Sequence, residues 1–220
     1  MTPDQIFGYV DHTLLKPTAS WREIVQLCGE AVQAGAASVC VPPCYVGRIR
    51  RDFKDIVICT VIGFPLGYSV TEAKTAEIRR AIQDGADELD MVINQTDVKN
   101  GLYREIADEI MACKAAAGRR ILKVIVETCN LTEEEKIELC RCVTDAGADY
   151  IKTSTGFGAS GASIEDIRLF KRHLGPNVRI KAAGGIRTKE DMELFISEGC
   201  DRLGTSSAVK ILSGGQAQAY

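Results

Sequence analysis

Short apolar runs alternate with longer amphipathic stretches along the whole chain. Most of the apolar runs contain few polar residues, which is typical of strands buried on both faces of a parallel sheet. The amphipathic stretches between them have the spacing of surface helices. The pattern predicts eight strands, near Thr13–Lys16, Ser38–Val41, Val57–Gly63, Glu88–Asn94, Ile121–Glu127, Tyr150–Ser154, Arg179–Ala182 and Arg202–Gly204.

A short phrase built around a glycine recurs between these elements. Gly35, Gly85, Gly147 and Gly199 each follow a helical pattern and precede a predicted strand. Glycine is favoured just beyond the C-terminus of a helix because it adopts positive φ at little steric cost. The repetition therefore predicts repeated βα units.

Hydroxyl side chains mark the predicted helix starts. Ser20 and Thr132 are each followed three residues later by a glutamate, which is the pattern of a capping box. Thr71, Ser163 and Thr188 are predicted N-caps of the same kind.

Eight strands alternating with about eight helices in 220 residues suit an α/β fold of the closed (β/α)8 TIM barrel type. An open doubly wound sheet often carries an early GxGxxG turn, and the sequence has none. No linker, low-complexity tract or shift in composition divides the chain. We therefore expect one barrel domain over residues 1–220.

Composition narrows the expected partners and location. The chain is 45% hydrophobic and 26% charged, with a formal net charge of −3, which argues against nucleic acid as the main partner. Its apolar runs are far shorter than the ~20 residues that span a bilayer, and its N-terminus lacks the pattern of a secretory signal. The nine cysteines fit reduced thiols, and the two histidines argue against a multi-histidine metal centre. We expect a cytoplasmic protein without membrane contact.

Four consecutive predicted strands carry an ionisable residue among apolar neighbours: Asp90, Lys123, Lys152 and Lys181. Neighbouring strands lie ~4.8 Å apart, and in a barrel the reactive groups project from their C-terminal ends. These side chains can therefore converge in one cavity. The alternative is a buried ion network or lysines that extend to the outer surface. Four aligned groups that include an acid favour a functional site.

A lysine attacks a carbonyl group only as the neutral amine. At an ordinary pKa of ~10.4, well under a thousandth of such lysines is neutral at pH 7. A second ammonium group and partial burial can lower the pKa of a lysine to roughly 7–8. Lys152 and Lys181, one strand apart, meet this need, and Asp90 can then move protons within the site.

Two loops rich in glycine and small hydroxyl side chains follow the seventh and eighth predicted strands. In barrels these two loops commonly bind phosphate through backbone N–H groups. A tight glycine turn without a ligand is the alternative for the first loop. A third loop directly follows Lys152 and also contains a glycine. The predicted phosphate site consists of Gly156, Gly184, Gly185, Arg187, Gly204, Ser206 and Ser207.

Several neighbouring residues stay outside the predicted site. Cys40 lies in a predicted strand and is interpreted as a buried bystander. Leu15 and Phe64 are candidates for apolar walls. Tyr220 follows a Ser-Gly-Gly-Gln tail whose composition is typical of a mobile end, so it is not included.

Taken together, these phrases resemble the deoxyribose-phosphate aldolase family over nearly the whole chain. The most specific similarities are Ile151–Gly156, Ile180–Arg187 and Leu89–Val92. The resemblance implies that Lys152 forms a Schiff base, that Lys181 lowers its pKa, and that Asp90 with a water molecule moves protons. Phe157 departs from the family pattern, because some relatives have a lysine there that adds a phosphate contact. Some relatives also use a terminal tyrosine, the position of Tyr220.

The implied activity is that of a lyase without a metal or organic cofactor. It reversibly cleaves 2-deoxy-D-ribose 5-phosphate to D-glyceraldehyde 3-phosphate and acetaldehyde, in the catabolism of deoxyribonucleosides. A homo-oligomer is usual in such proteins. Two alternatives stay open: another class I aldolase acting on a different phosphorylated sugar or a keto acid, and a non-catalytic barrel that binds sugar phosphates.

Overall fold

Eight parallel strands form a closed barrel in the computed structural model, which describes residues 1–214. The strands are β1 (Val10–Thr13), β2 (Ser38–Val41), β3 (Ile58–Ile62), β4 (Glu88–Val92), β5 (Ile121–Ile125), β6 (Tyr150–Lys152), β7 (Arg179–Ala183) and β8 (Arg202–Thr205). Each strand pairs with the next along the chain, and β8 pairs with β1. The predicted (β/α)8 barrel is confirmed. Tyr220 lies outside the described residues.

Helices precede the first strand, connect the successive strands and follow the last one. Within residues 1–214 they are α1 (Pro3–Phe7), α2 (Trp21–Ala34), α3 (Val46–Asp52), α4 (Thr71–Asp84), α5 (Gln95–Lys99), α6 (Tyr103–Ala117), α7 (Glu133–Asp145), α8 (Ile164–His173), α9 (Lys189–Glu198) and α10 (Ala208–Leu212). As predicted, Gly35, Gly85, Gly147 and Gly199 adopt positive φ just beyond α2, α4, α7 and α9. None of the helices in this part of the chain combines the length and the apolar character needed to cross a membrane.

The helix starts follow the predicted signals with one exception. Ser20 and Thr132 form the capping boxes of α2 and α7, and Ser163 and Thr188 cap α8 and α9 through their side chains. The prediction for Thr71 is wrong, because α4 begins at Thr71 itself. An N-cap requires an extended backbone, and the residue before Thr71 supplies it with φ −62° and ψ 152°.

The first strand begins and ends earlier than predicted. The pattern predicts a strand near Thr13–Lys16, whereas β1 runs from Val10 to Thr13. The middle of β1 holds a carboxylate, Asp11, that is 0% exposed. A buried carboxylate requires charged or hydrogen-bonded partners, and these come from strands distant in the sequence.

The alternation of side chains along the strands produces two different interiors. Leu122, Val124 and Ile151 belong to a large apolar core that also includes residues of the surrounding helices. Directly next to these residues in the sequence, Lys123 and Lys152 face the barrel axis, where they bind charged partners. The main hydrophobic core therefore lies between the sheet and the helices, and charged side chains lie on the barrel axis.

Candidate active site

The strand register brings together the four ionisable residues predicted from the sequence. Asp90 on β4 lies opposite Lys123 on β5, and Lys152 on β6 lies opposite Lys181 on β7. Lys152 is 3% exposed, and the other three side chains belong to residues that are 0% exposed. All four form one buried cluster on the barrel axis.

Asp90 is the centre of this cluster. Its Oδ2 accepts hydrogen bonds from Nζ of Lys152 at 2.7 Å and from Nζ of Lys181 at 2.6 Å. Its Oδ1 accepts a hydrogen bond from Nζ of Lys123 at 2.9 Å and lies 3.1 Å from Sγ of Cys59. Lys152 and Lys181 thus share a single carboxylate oxygen.

Three further charged residues extend the cluster towards the N-terminal ends of the strands. Asp11 accepts hydrogen bonds from Nζ of Lys181 and, at 2.7 Å, from Nη1 of Arg202. Glu88 pairs with Nζ of Lys123 at 2.6 Å and with Nη2 of Arg202 at 3.2 Å. None of Asp11, Glu88 and Arg202 was predicted from the sequence as a site residue.

Within the described residues this cluster holds four cations against three carboxylates. The cations are Lys123, Lys152, Lys181 and Arg202, and the carboxylates are Asp11, Glu88 and Asp90. An unbalanced charge is unfavourable in a site that excludes water. Release of one proton from one lysine leaves three cations facing three carboxylates.

Burial and neighbouring charges act in opposite directions on these groups. Burial raises the pKa of Asp90, but Lys123, Lys152 and Lys181 hold that pKa well below the usual carboxyl range. Burial lowers the pKa of Lys181, but Asp11 and Asp90 raise it above the ordinary value of a lysine. Asp90 is therefore a carboxylate and Lys181 an ammonium group across neutral pH.

Replacing Asp11 with asparagine is expected to destabilise the fold at neutral pH and to matter less in acid. Burial raises the pKa of Asp11, but Lys123, Lys181 and Arg202 hold it far below the usual range. The stabilising contribution of Asp11 is thus complete above the unfolded-state pKa of ~3.9 and is lost as the pH falls through the lower folded-state pKa. At neutral pH the unpaired buried cations should cost about 3–5 kcal/mol.

Urea unfolding of wild type and Asp11→Asn between about pH 3 and about pH 7 measures this effect. The difference in the free energy of unfolding should narrow below about pH 4, where the unfolded wild-type chain takes up a proton. A difference that stays constant on acidification would contradict the assignment of Asp11 as a buried carboxylate.

A cavity of about 270 Å³ opens at the C-terminal ends of the strands beside Lys152. Of the described residues in the ionisable cluster, Lys152 is the one that lines it; Asp90 and Lys181 lie beneath it. The lining includes every residue of the predicted phosphate site: Gly156, Gly184, Gly185, Arg187, Gly204, Ser206 and Ser207. Lys152 and the residues of the predicted phosphate site therefore line the same cavity.

A larger cavity of about 390 Å³ lies on the other side of Ser206 and Ser207. Its lining comes largely from β1, α2 and α10 and includes His12 and Glu30, whose Nε2 and Oε2 atoms are 2.9 Å apart. None of the lysines of the buried cluster lines it within the described chain. The smaller cavity is therefore the candidate active site.

The glycine-rich loops have shapes that require glycine. Gly184 and Gly185 have φ of 78° and 76°, a region that other residues rarely adopt. A Cβ on Gly161 would lie 2.2 Å from the carbonyl oxygen of Gly184, so these two backbones are in contact. A Cβ on Gly204 would lie 3.2 Å from Cε of Lys181, so Gly204 also leaves room for that lysine. Gly161 was not predicted from the sequence as a site residue.

An apolar cluster lies beside the cavity. It consists of Leu15, Cys40, Cys59 and Val61, with Phe64 packed against it. Leu15 lines the cavity as expected, whereas Phe64 is not among the lining residues. Phe64 instead meets the ring of Phe157, a lining residue, edge to face at 5.4 Å between ring centroids. One side of the cavity is thus apolar and the other consists of glycines and hydroxyl groups.

Two groups of three ligand-type side chains lie close enough to hold a metal ion among the described residues. They are Cys40, Cys59 and Asp90, and Asp11, Cys59 and Glu88. Each carboxylate in these groups already binds a lysine or arginine side chain. A metal ion would have to compete with these fixed cations.

Comparisons with known proteins agree with this geometry. Residues 6–208 match the model of the DeoC/LacD family aldolase. The deoxyribose-phosphate aldolase of Clostridium botulinum (strain Alaska E43 / Type E3) is 59% identical over 221 residues, which cover 100% of both chains. A crystal structure from Coccidioides immitis has a TM-score of 0.93 and 42% identity, covering 97% of this chain and 86% of that one.

The tetrameric deoxyribose phosphate aldolase of Aeropyrum pernix has a TM-score of 0.87 and 32% identity, and the match covers 96% of this chain and 91% of that one. The match to the family model and the identity to the curated relative both extend over most of the chain. The chain therefore belongs to the DeoC/LacD family of aldolases.

Proposed function

We propose that this protein is a class I aldolase that reversibly cleaves 2-deoxy-D-ribose 5-phosphate to D-glyceraldehyde 3-phosphate and acetaldehyde. The observation that carries the proposal is the position of Lys152, which lines a cavity with two glycine-rich loops and shares an oxygen of Asp90 with Lys181. The substrate is assigned from the relatives, which are named deoxyribose-phosphate aldolases.

Lys152 is the proposed nucleophile. Lys181 is held as an ammonium group by two carboxylates and shares an oxygen of Asp90 with Lys152. The neutral amine is the form of a lysine that attacks a carbonyl group, and it leaves the buried cluster with equal numbers of cations and carboxylates. The amine attacks C1 of the open-chain sugar to form a carbinolamine, whose hydroxyl group takes up one proton and leaves as water to give a protonated imine.

Cleavage then uses the imine as an electron sink. Removal of the proton from the C3 hydroxyl breaks the C2–C3 bond, its electron pair moves towards the imine nitrogen, and D-glyceraldehyde 3-phosphate leaves. The remaining enamine is protonated at C2 and hydrolysed to acetaldehyde and free Lys152. Asp90 and a water molecule are the proposed carriers of these protons.

The glycine-rich loops are the proposed phosphate site. Backbone N–H groups at Gly184 and Gly185, the hydroxyl groups of Ser206 and Ser207, and the positive charge of Arg187 suit a phosphate group. This binding lies away from the bond that breaks, so it orients the sugar over Lys152. Phe157 adds no charge, which leaves Arg187 as the proposed cation of the loops.

Replacement of Gly161 with alanine is expected to weaken the binding of phosphorylated substrate. The new methyl group would meet the Gly184 backbone at 2.2 Å and push the Gly184–Gly185 turn out of place. We expect KM for 2-deoxyribose 5-phosphate to rise about tenfold and stability to fall by about 1–3 kcal/mol. The KM for unphosphorylated 2-deoxyribose should change much less.

Gly29→Ala is the matched control for this variant. Gly29 lies inside α2, and nothing lies within 4 Å of a Cβ built there. This substitution should raise stability by about 0.5–1 kcal/mol and leave both KM values unchanged. Equal changes in KM for the two sugars in Gly161→Ala would argue against the assigned phosphate site.

Borohydride trapping tests the proposed function most directly. Incubation with 2-deoxyribose 5-phosphate and reduction should fix the sugar to the protein through a stable amine, and peptide mass mapping should locate it on Lys152. An adduct that forms only with other sugar phosphates or keto acids would favour a different class I aldolase. Binding of the sugar phosphate without any trapped lysine would overturn the proposal in favour of a non-catalytic binding barrel.

We also propose that the chain forms a homo-oligomer. The support is the tetrameric structure of the Aeropyrum pernix relative, which shares the barrel over 96% of this chain. Light scattering coupled to gel filtration should give a mass that is a multiple of the 23.9 kDa chain. A mass equal to one chain across the tested concentrations would contradict this.

A further inference from the structure

Glu127, directly beyond β5, has an unusual backbone. Its φ of 57° and ψ of 67° are left-handed, and among residues 1–214 it is the one residue other than glycine with positive φ. It is 3% exposed. Such a conformation is unfavourable for a residue with a side chain and persists only where the surrounding contacts impose it.

The contacts of Glu127 lead to the loop that follows Lys152. Its Oε1 and Oε2 accept hydrogen bonds from the backbone N–H of Thr155 at 3.2 and 3.3 Å. The hydroxyl of Thr155 also donates to Oε2 of Glu127. No ion pair to Glu127 forms in the described part of the chain, so the carboxylate is stabilised by neutral donors from this loop.

The backbone on either side of Glu127 is fixed to the same segment. The N–H of Val126 donates to the carbonyl oxygen of Lys152 at 3.0 Å, and the N–H of Thr128 donates to that of Thr153 at 2.9 Å. With both neighbours paired in this way, the left-handed turn at Glu127 directs its side chain to Thr155. The left-handed conformation of Glu127 therefore helps to hold the loop after Lys152 in place.

The backbone of Gly158, at the far end of the same loop, packs tightly against the side chains of Glu127 and Cys129. A Cβ on Gly158 would lie 3.1 Å from Cδ of Glu127 and 2.8 Å from Sγ of Cys129. Thr155, Gly156 and Phe157, between this contact and Lys152, all line the cavity. The carboxylate of Glu127 thus lies behind the wall that the substrate contacts.

The direction of the hydrogen bonds restricts what Thr155 can offer to a ligand. A hydroxyl has one hydrogen and two lone pairs. The hydrogen is used by Glu127, and one lone pair accepts the N–H of Phe157 at 3.0 Å. The remaining lone pair can accept a hydrogen bond from a ligand hydroxyl but cannot donate one to a phosphate oxygen.

We infer that Glu127 is a positioning residue that makes Thr155 an acceptor for a substrate hydroxyl lying between the imine carbon and the phosphate. This role rests on the proposed aldolase function, in which C4 of the sugar carries that hydroxyl. Glu127 itself stays behind the cavity wall. Its effect on the reaction passes through the orientation of the Thr155 hydroxyl.

Two acceptor aldehydes of similar size test the inference. With acetaldehyde as donor, glycolaldehyde carries the hydroxyl that Thr155 would accept, and propanal has a methyl group in its place. The readout is the ratio of kcat/KM for glycolaldehyde to kcat/KM for propanal. A site built to bind a hydroxyl discriminates against the analogue that lacks it.

Removing the hydroxyl of Thr155 should lower this ratio about tenfold in Thr155→Val. Glu127→Gln should lower it by a smaller factor, about threefold, because glutamine can keep both contacts only by donating its amide N–H to Thr155. That hydrogen bond occupies the lone pair of the Thr155 hydroxyl oxygen that would otherwise accept the substrate hydroxyl. The double variant should match Thr155→Val, since Glu127 acts through Thr155.

Controls separate this role from a general loss of structure. Glu109→Gln alters another buried carboxylate, which accepts the N–H of Asn94 at 3.1 Å and pairs with Lys74 at 2.6 Å away from the cavity. Its ratio should equal that of the wild type. Thr155→Ser keeps the hydroxyl and should restore the ratio, which maintains the test if Glu127→Gln folds poorly.

The outcomes of these experiments distinguish failure of the role inferred for Glu127 from failure of the proposed aldolase function. A wild type that neither traps an imine nor forms the aldol product would overturn the proposed function. A wild type that does both, with the same ratio in Glu127→Gln and Thr155→Val as in wild type, would overturn the inference alone. A strictly multiplicative double variant would also contradict it, because independent effects exclude action through Thr155.

Discussion

Aldolase activity is expected to fall by roughly 10⁵-fold or more when Lys152 is replaced with alanine. Lys152 is the lysine that lines the cavity within the described chain, so no neighbouring amine can take over imine formation. At about 1.4 kcal/mol per factor of ten, the loss corresponds to about 7 kcal/mol of transition-state stabilisation. Release of glyceraldehyde 3-phosphate from saturating 2-deoxyribose 5-phosphate measures it.

Stability should not follow activity in this variant. Removal of Lys152 leaves three cations facing three carboxylates, so the charges of the buried cluster are balanced in the variant. The urea midpoint of Lys152→Ala should therefore be close to that of the wild type. Lys152→Arg is the matched control: it places a long cationic side chain at the same position and should be equally inactive. Activity within tenfold of wild type in either variant would refute Lys152 as the nucleophile.

Replacement of Asp90 with asparagine is expected to reduce both activity and stability. Asp90 accepts hydrogen bonds from three lysines, and a neutral amide leaves their buried charges without their central partner. We expect a loss of about 3–5 kcal/mol in the free energy of unfolding. The loss of a proton carrier should lower kcat by about 10²- to 10⁴-fold. Urea unfolding and steady-state kinetics measure the two effects.

Asp11→Asn distinguishes proton transfer from simple loss of charge. Asp11 is also a buried carboxylate bound to Lys181, but it makes no ion pair with Lys152 in the described structure. Both variants should be destabilised to a similar extent, whereas kcat should fall much further in Asp90→Asn. Equal losses of kcat would indicate that Asp90 contributes only to the electrostatic balance of the cluster.

The sequence was informative where chemistry interrupts a regular pattern. Lys152, Lys181 and Asp90 stand out because each lies in an apolar strand where a charge is otherwise unfavourable. The phosphate loops stand out through glycines that a regular helix or strand would avoid. Both signals are local in the sequence, so they can be recognised without knowledge of the fold.

Contacts that depend on barrel closure could not be read in this way. The ion pair of Asp11 with Lys181 joins β1 to β7, and its existence depends on the register around the whole sheet. Glu88 lies two residues before Asp90, and Arg202 lies two residues before Gly204. Because side chains two residues apart in a strand point to the same face, this spacing could have indicated that Glu88 and Arg202 belong to the site. Glu127 gave no such signal, because its left-handed backbone becomes apparent only in the folded chain.

The charged side chains on the barrel axis also help to determine the register in which the strands pair during folding. A shift of one residue in the pairing of β5 would turn Lys123 outward into the apolar layer and bring Leu122 or Val124 to the axis. The same exchange would affect Lys152 with Ile151, and apolar packing alone would penalise it little, since both faces are buried. The ion pairs therefore distinguish the native register from its neighbours, and the groups proposed for catalysis help select the correct fold.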